Sequence, residues 1–320
     1  MRNFLVIALS LTVVWGASGC DGESADGDGD GDVDGDVDGD VDGDADMDAD
    51  ADGDHTSLVL EFTSLPELGA DFVYEGWVIT GDGPVSTGRF SVDDSGALEP
   101  DSFLVEGADA DAAEMFVLTI EPATGDDPAP AATHILAGQF DMGSTAELTT
   151  SSEAALGTDF ADAAGSYILA TPTTADVEDD GNLGIWWLVP GDMAASSLEL
   201  PELPDGWAYE GWVVVGGEPI STGRFTTLDD ADSDGAGETS GPDGAPPFAG
   251  QDFIDPAVDL LGGTAVISVE PEPDDSAAPF IIKPLVDGTI DDVMAPDGQD
   301  MTNNAADTLP SGTATFHSSM

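Results

Sequence analysis

The chain reads as all-β: two tandem immunoglobulin-like β-sandwich lobes behind a disordered acidic tether. Three observations lead there. The segment Tyr74-Glu75-Gly76-Trp77-Val78 … Ser86-Thr87-Gly88-Arg89-Phe90 returns 135 positions later as Tyr209-Glu210-Gly211-Trp212-Val213 … Ser221-Thr222-Gly223-Arg224-Phe225, without a gap and with 12 of 17 positions identical. The segments around both copies are short, rich in Val, Ile, Phe, Tyr and Thr, and bounded by Gly, Pro and Asp clusters, which is strand punctuation. No window carries a helical period with caps. A unit of about 100 residues present only twice does not suit a solenoid, so each copy is expected to close its own pair of sheets.

From the N-terminus, Met1, Arg2 and Asn3 precede an uncharged, largely apolar run from Phe4 to Trp15 and then Ala17-Ser18-Gly19-Cys20. These are the three parts of a secretory signal, residues 1–19, and the run is shorter than the roughly 20 residues of a bilayer span. Small residues directly before a cysteine resemble the lipobox of bacterial lipoproteins, which implies acylation of Cys20 and an exported protein anchored to a bacterial cell membrane, in the periplasm or at the cell surface. Cys20 is the sole cysteine. With it acylated, no disulfide, thiolate nucleophile or cysteine metal site remains, and the lobes must be stable through packing. Several acyl chains on one residue hold far better than the marginal grip of a single chain.

Residues 20–56 form the lipidated cysteine and tether, with aspartate at every even position from Asp26 to Asp54. Such a strip repels itself and has nothing to bury, so it is expected to be extended and disordered. Its 34 residues from 21 to 54 span on the order of 110 Å when drawn out. Parity argues against a calcium loop of EF-hand type within the run, because position 12 counted from an even Asp falls on an odd residue, and inside the run those are Gly, Val, Ala or Met. The whole chain carries a net charge of −63, and outside the tether 50 acids face only Arg89, Arg224 and Lys283. A surface of that sign excludes nucleic acid as a partner and excludes unassisted binding to anionic lipid, and it is most simply a solvated surface.

The boundaries follow as lobe 1 over 57–157 and lobe 2 over 158–320. Lobe 1 is expected to use strands at 58–62, 72–80, 85–92, 116–120 and 134–140. Lobe 2 repeats them at 198–200, 207–215, 220–227, 265–269 and 280–286, with a further strand pair at 166–171 and 183–189 joined by the acidic turn through Asp180, Gly181 and Asn182. The signature itself reads as a hairpin turning at Gly81–Pro84 and Gly216–Pro219. In that register Trp77 faces Gly88 and Gly76 faces Arg89, as Trp212 faces Gly223 and Gly211 faces Arg224, the glycines making room for the large side chains. Tyr74 and Arg89, like Tyr209 and Arg224, share a face, so each guanidinium is expected to clip the hairpin against the ring with an acid at its tip.

The copies diverge after the arginine, where the second gains 14 residues within 229–255. There Asp230, Asp232, Asp234, Gly235 and Glu238 fall on positions 1, 3, 5, 6 and 9 of a calcium loop, with Gly241 where a bidentate acid belongs. Calcium is the sole cofactor that this pattern admits, the alternative being a solvated acidic loop. The aromatics Phe248 and Phe253 after it suit a partner surface or a loop tucked on the lobe.

With the repeat laid out, the chain resembles the extracytoplasmic C-terminal domain of anti-sigma-K factors. The residues that carry the resemblance are Leu65-Pro66, Tyr74, Trp77, Gly83-Pro84-Val85, Ser86, Gly88, Phe90, Thr119-Ile120-Glu121-Pro122 and Pro128-Ala129-Pro130. Leu203-Pro204, Tyr209, Trp212, Pro219-Ile220, Ser221, Gly223, Phe225 and Val269-Glu270-Pro271 supply the second set. The resemblance implies an envelope module of the anti-sigma type. Because the chain shows neither a helical sigma-binding domain nor a transmembrane helix, a direct sigma-factor contact is not expected, and the partner is an envelope protein or small ligand. Catalysis is not expected either. Only His55, His134 and His317 exist as bases of that type, and no nucleophile elbow, zinc-protease helix or phosphate loop is present. A calcium-stabilised structural or adhesion protein of the cell surface is the alternative reading.

Overall fold

The computed structural model describes residues 54–317, apart from 94, 126, 143, 175–179 and 274–275. Cys20, the signal sequence and the tether up to residue 53 lie outside the described residues. Residues 50–320 form one compact unit, and the regular structure of its described part is strand apart from two α-helices, Gly107–Asp111 and Ala305–Thr308, of one turn each, and a 3-10 turn at Gly181–Leu183.

Nine strands make the first sheet, in the order Leu98–Glu99, Gly83–Val92, Phe72–Thr80, Met115–Pro122, His134–Gln139, Thr145–Thr149, Ser311–His317, His55–Thr63, Ser102–Glu106. Its two outer strands are consecutive in the chain, separated by Pro100 and Asp101 alone. The sheet therefore curls until its ends meet around a core, the sandwich-like solution for a surface with one apolar face. Along His55–Thr63 the alternation is visible residue by residue: Leu58 and Leu60 are buried while Glu61 and Thr63 face solvent. Phe90, from the hairpin, stands at the meeting of the ends, its ring 5.6 Å from Tyr74, 5.8 Å from Phe62 and 5.9 Å from Phe103.

The second copy builds a five-stranded sheet in the order Glu218–Phe225, Trp207–Val215, Thr264–Pro271, Leu285–Asp287, Thr302–Asn303. Strands Leu198–Glu199, Ala164–Leu169, Gly184–Trp186 and Gly250–Asp252 form a further sheet, with Gln299–Asp300 added beside Ala164–Leu169. The expected pair between the copies is present, as Ile185↔Leu169. The two sheets meet where Tyr167 donates to Asp287 Oδ2 at 2.6 Å and where Gly211 lies under the Trp187 ring.

Two lobes divided at 157/158 do not describe this chain. Its last strand, Ser311–His317, leaves the second copy and inserts into the first sheet, pairing Ala314 with Leu60 on one side and with Ala146 on the other. One hydrophobic cluster runs without a break from Leu58 and Tyr74 through Leu169 and Trp187 to Tyr209, Val269 and Ala314. The physical reason is closure: without the last strand, His55–Thr63 and Thr145–Thr149 would each present unpaired backbone to solvent.

Candidate functional site

Both copies of the signature build the same hairpin, though not in the expected register. The turn has two residues, closed by Thr80↔Gly83 and by Val215↔Glu218, and Trp77 faces Ser86 while Trp212 faces Ser221. Beyond it one residue is bulged out, so that Gly76 faces Gly88, Glu75 faces Arg89 and Glu210 faces Arg224. The bulge sits at Thr87 and Thr222, whose successors Gly88 and Gly223 have φ of +121° and +102°. That left-handed backbone is what a glycine permits in a bulge. Thr87 Oγ1 donates to the carbonyl of Gly76 at 3.0 Å, tying the bulge to the opposite strand. The room made by Gly76 and Gly211 is filled by Phe116 and Trp187 together with the threonine hydroxyls, not by the arginines.

Each arginine pairs with the glutamate directly across the hairpin, while the tyrosine rings stack on Phe90 and Phe225. Arg89 Nε lies 3.4 Å from Glu75 Oε2, and its terminal nitrogen donates to the carbonyl of Pro122. In the second copy Arg224 Nε lies 3.8 Å from Glu210 Oε2 and Nη1 lies 3.3 Å from Glu272 Oε1. Glu75 and Glu210 are buried, and each also accepts from the serine across the strand, Ser86 or Ser221. The tyrosines do something else: Tyr74 donates to the Pro66 carbonyl at 2.8 Å and Tyr209 to the Pro201 carbonyl at 2.7 Å. Both partners are eight residues back, so Leu200-Pro201, rather than Leu203-Pro204, is the counterpart of Leu65-Pro66. Burial raises both phenol pKa values above the ordinary one.

A second duplicated network escaped the sequence reading. Trp77 Nε1 donates to Thr119 Oγ1 at 2.9 Å, Thr119 Oγ1 donates to Glu121 Oε1 at 2.5 Å, and the Ala131 amide donates to the same oxygen at 2.8 Å. In the second copy Trp212 Nε1 donates to Ser268 Oγ at 2.8 Å, Ser268 donates to Glu270, and the Phe280 amide donates to Glu270 Oε1 at 2.8 Å. Glu121 and Glu270 are almost wholly buried, as are the tryptophans, and the relays let an acid sit inside a core. Its signal in the sequence was Thr-x-Glu-Pro against Ser-x-Glu-Pro, the Thr119 and Ser268 hydroxyls being interchangeable as links.

The insertion places a strand as well as a loop: Gly250–Asp252 pairs with Gly184–Trp186. Asp252 is fully buried and accepts from the Thr173 amide and hydroxyl and from Trp186 Nε1 at 2.8 Å. Asp232 is buried, its Oδ2 accepting from the Gly250 amide at 2.9 Å, while Asp230, Asp234 and Glu238 are exposed. Burial pushes the Asp232 carboxyl up to about 8, and the adjacent Asp234 charge adds to the rise. Asp230, Asp232, Asp234 and Glu238 are not gathered as one set, since among the described residues no three His, Cys, Asp or Glu side chains converge on a metal position. Asp232 and Asp234 do meet, over Gly223, where a Cβ would stand 2.6 Å from Asp232 Cγ. At the same point of the first copy, a Cβ on Gly88 would meet the ring of Phe103 at 3.0 Å. The duplicated bulge is thus covered by an aromatic in one copy and by two carboxylates in the other.

These features define an all-β protein in which one hairpin and one relay occur twice, and their shared chemistry, four buried glutamates each tied to a hydroxyl, serves the scaffold. Residues 41–135 match the family model described as Anti-sigma-K factor rskA, C-terminal. The matched stretch contains the first signature, the Pro66 turn and the Trp77–Thr119–Glu121 relay. No curated protein and no solved structure matches the chain. Among the described residues no helix is long and apolar enough to cross a membrane.

Proposed function

We propose that the chain is an exported lipoprotein, anchored through Cys20, that carries an anti-sigma-K-like module in duplicate and works outside the membrane by binding rather than by catalysis. The observation that carries this reading is the match of residues 41–135 to the anti-sigma-K C-terminal family, whose matched stretch holds residues that recur, 135 positions on, in the second copy. The small residues before Cys20 support the anchor, and the long acidic run after it would hold the folded unit away from the bilayer. The scaffold residues are spent on stability, so recognition is assigned to the insertion at 229–255, where the copies cease to agree. An envelope protein or a small ligand is the partner class, and a sigma factor is not.

Labelling with a fatty-acid analogue followed by membrane fractionation tests the anchor. The wild-type chain takes the label and sediments with membranes, and Cys20→Ser loses both. Label-free, soluble wild-type protein overturns the reading.

A further inference from the structure

Asp232 and Asp234 bring their carboxyl groups together over Gly223, where a Cβ would stand 2.6 Å from Asp232 Cγ and would also collide with Asp234 Oδ1. Asp232 is buried, and its Oδ2 accepts from the Gly250 amide at 2.9 Å. Among the described residues no N–H or hydroxyl donor reaches its Oδ1. The hydrogen bond between the two carboxyl groups supplies the proton that this oxygen needs. Two ionised carboxylates at such a place repel, and burial adds to the cost, so the pair keeps one proton well above the ordinary aspartate range. Around the pair, Arg224 and Glu272 line the adjoining groove of about 520 Å³ together with Asp232, and Arg224 is paired with Glu272 and with buried Glu210. Asp252, on the neighbouring strand, accepts from Thr173 and Trp186, while Asp230 and Glu238 of the insertion are exposed.

We propose that this pair is a proton-operated latch: with one proton between them the two carboxyl groups clamp the insertion to the hairpin bulge and to the strand Gly250–Asp252, and loss of that proton drives the insertion open. The parts that move are joined through the latch. Asp232 holds the Gly250 amide, the Asp252 amide donates to the Ala236 carbonyl at 3.2 Å, and the Gly237 amide donates to the Asp234 carbonyl at 3.2 Å. Asp234 is exposed, so its ionised carboxylate has solvent to move into. Closed, the pair holds its proton up to about pH 8; open, each carboxyl returns to the ordinary range at about 4. Between those values the closed loop binds one more proton than the open one, so closure weakens as pH rises through that window and no further above it. The first copy carries no latch, because Phe103 covers Gly88 at the equivalent place. The latch stands on the geometry of the loop; only its consequence, that pH gates the surface to which recognition is assigned, rests on the proposed function.

The test is amide hydrogen exchange of the full chain from about pH 6 to 9, corrected for the intrinsic pH dependence of exchange. It is read at Gly250 and Asp252 beside the insertion and along Phe72–Thr80 in the first copy. At Gly250 and Asp252 the wild-type opening constant is expected to rise about tenfold per pH unit up to about pH 8 and then to level off. Phe72–Thr80 should show no such rise. Asp234→Asn, at an exposed position, replaces the shared proton by an amide N–H that does not titrate, and should hold the opening constant flat at its low-pH level. Asp232→Asn should do the same, and Asp230→Asn, outside the pair, keeps the wild-type slope. A flat wild-type response would overturn the proposal, as would an Asp234→Asn variant that keeps the slope. A rise shared equally by Phe72–Thr80 would also overturn it, marking general repulsion in an acidic protein. No partner and no anchor enters these readouts, so the latch and the proposed function fail separately.

Discussion

Each buried acid of the signature is held by particular donors, and removal of one donor has a predictable sign. Glu75 is buried beside a half-exposed Arg89, so Arg89→Met strands a carboxylate and is expected to cost about 2 kcal/mol in urea unfolding. Adding Glu75→Gln to that variant should recover part of the loss, because the stranded charge is gone; a double variant worse than the sum of its parts would contradict the clip. Trp77→Phe and Trp212→Phe each remove the donor at the head of a relay while keeping an aromatic ring, at an expected cost of about 1–3 kcal/mol apiece. Similar losses in the two copies are the outcome that equivalent relays predict, measured by chemical denaturation of each single variant. The arginines and tryptophans were legible as scaffold from recurrence at a fixed offset. Their partners were not, because Thr119 and Ser268 differ in identity and a hydroxyl link is invisible to a search for identical residues.

At the scale of elements, strand existence was readable from alternation and turn residues, and register was not. The hairpin turn is Gly81-Asp82, centred one residue earlier than expected, and a bulge at Thr87 then moves every later pair by one. Periodicity cannot see a bulge, since the inserted residue is an ordinary threonine and the only sign is the glycine after it. Gly88→Ala and Gly223→Ala test the bulge directly. Both place a Cβ on left-handed backbone, and each is expected to destabilise by more than about 1 kcal/mol. They should differ in kind: Gly88→Ala pushes on the Phe103 ring, whereas Gly223→Ala pushes on the carboxyl pair Asp232 and Asp234. The strands Ser102–Glu106, Thr145–Thr149 and Gly250–Asp252 were missed because they are brief, three to five residues each, too short for an alternation to show.

Over the whole molecule the two copies share one core and the chain's last strand closes the first sheet, so residues 54–317 should unfold as a unit. Calorimetry is expected to show a single transition with van't Hoff and calorimetric enthalpies in agreement, and two separable transitions would mean independent lobes. Deleting residues 311–320 should expose the edges of His55–Thr63 and Thr145–Thr149, visible as fast amide exchange there and as self-association. That closure could not be read from the signature, because Ser311–His317 has no counterpart in the first copy and lies about 250 residues from the strand it joins. The duplicated parts explain stability and the unduplicated insertion is left to explain recognition. Photo-crosslinking in intact cells decides this, with a photoreactive residue placed at exposed Glu238 in the insertion or at exposed Glu218 on the hairpin of the anchored protein. A discrete extracytoplasmic adduct from position 238 and none from 218 is the predicted result, and an adduct from the hairpin alone, or one containing a sigma factor, would contradict it.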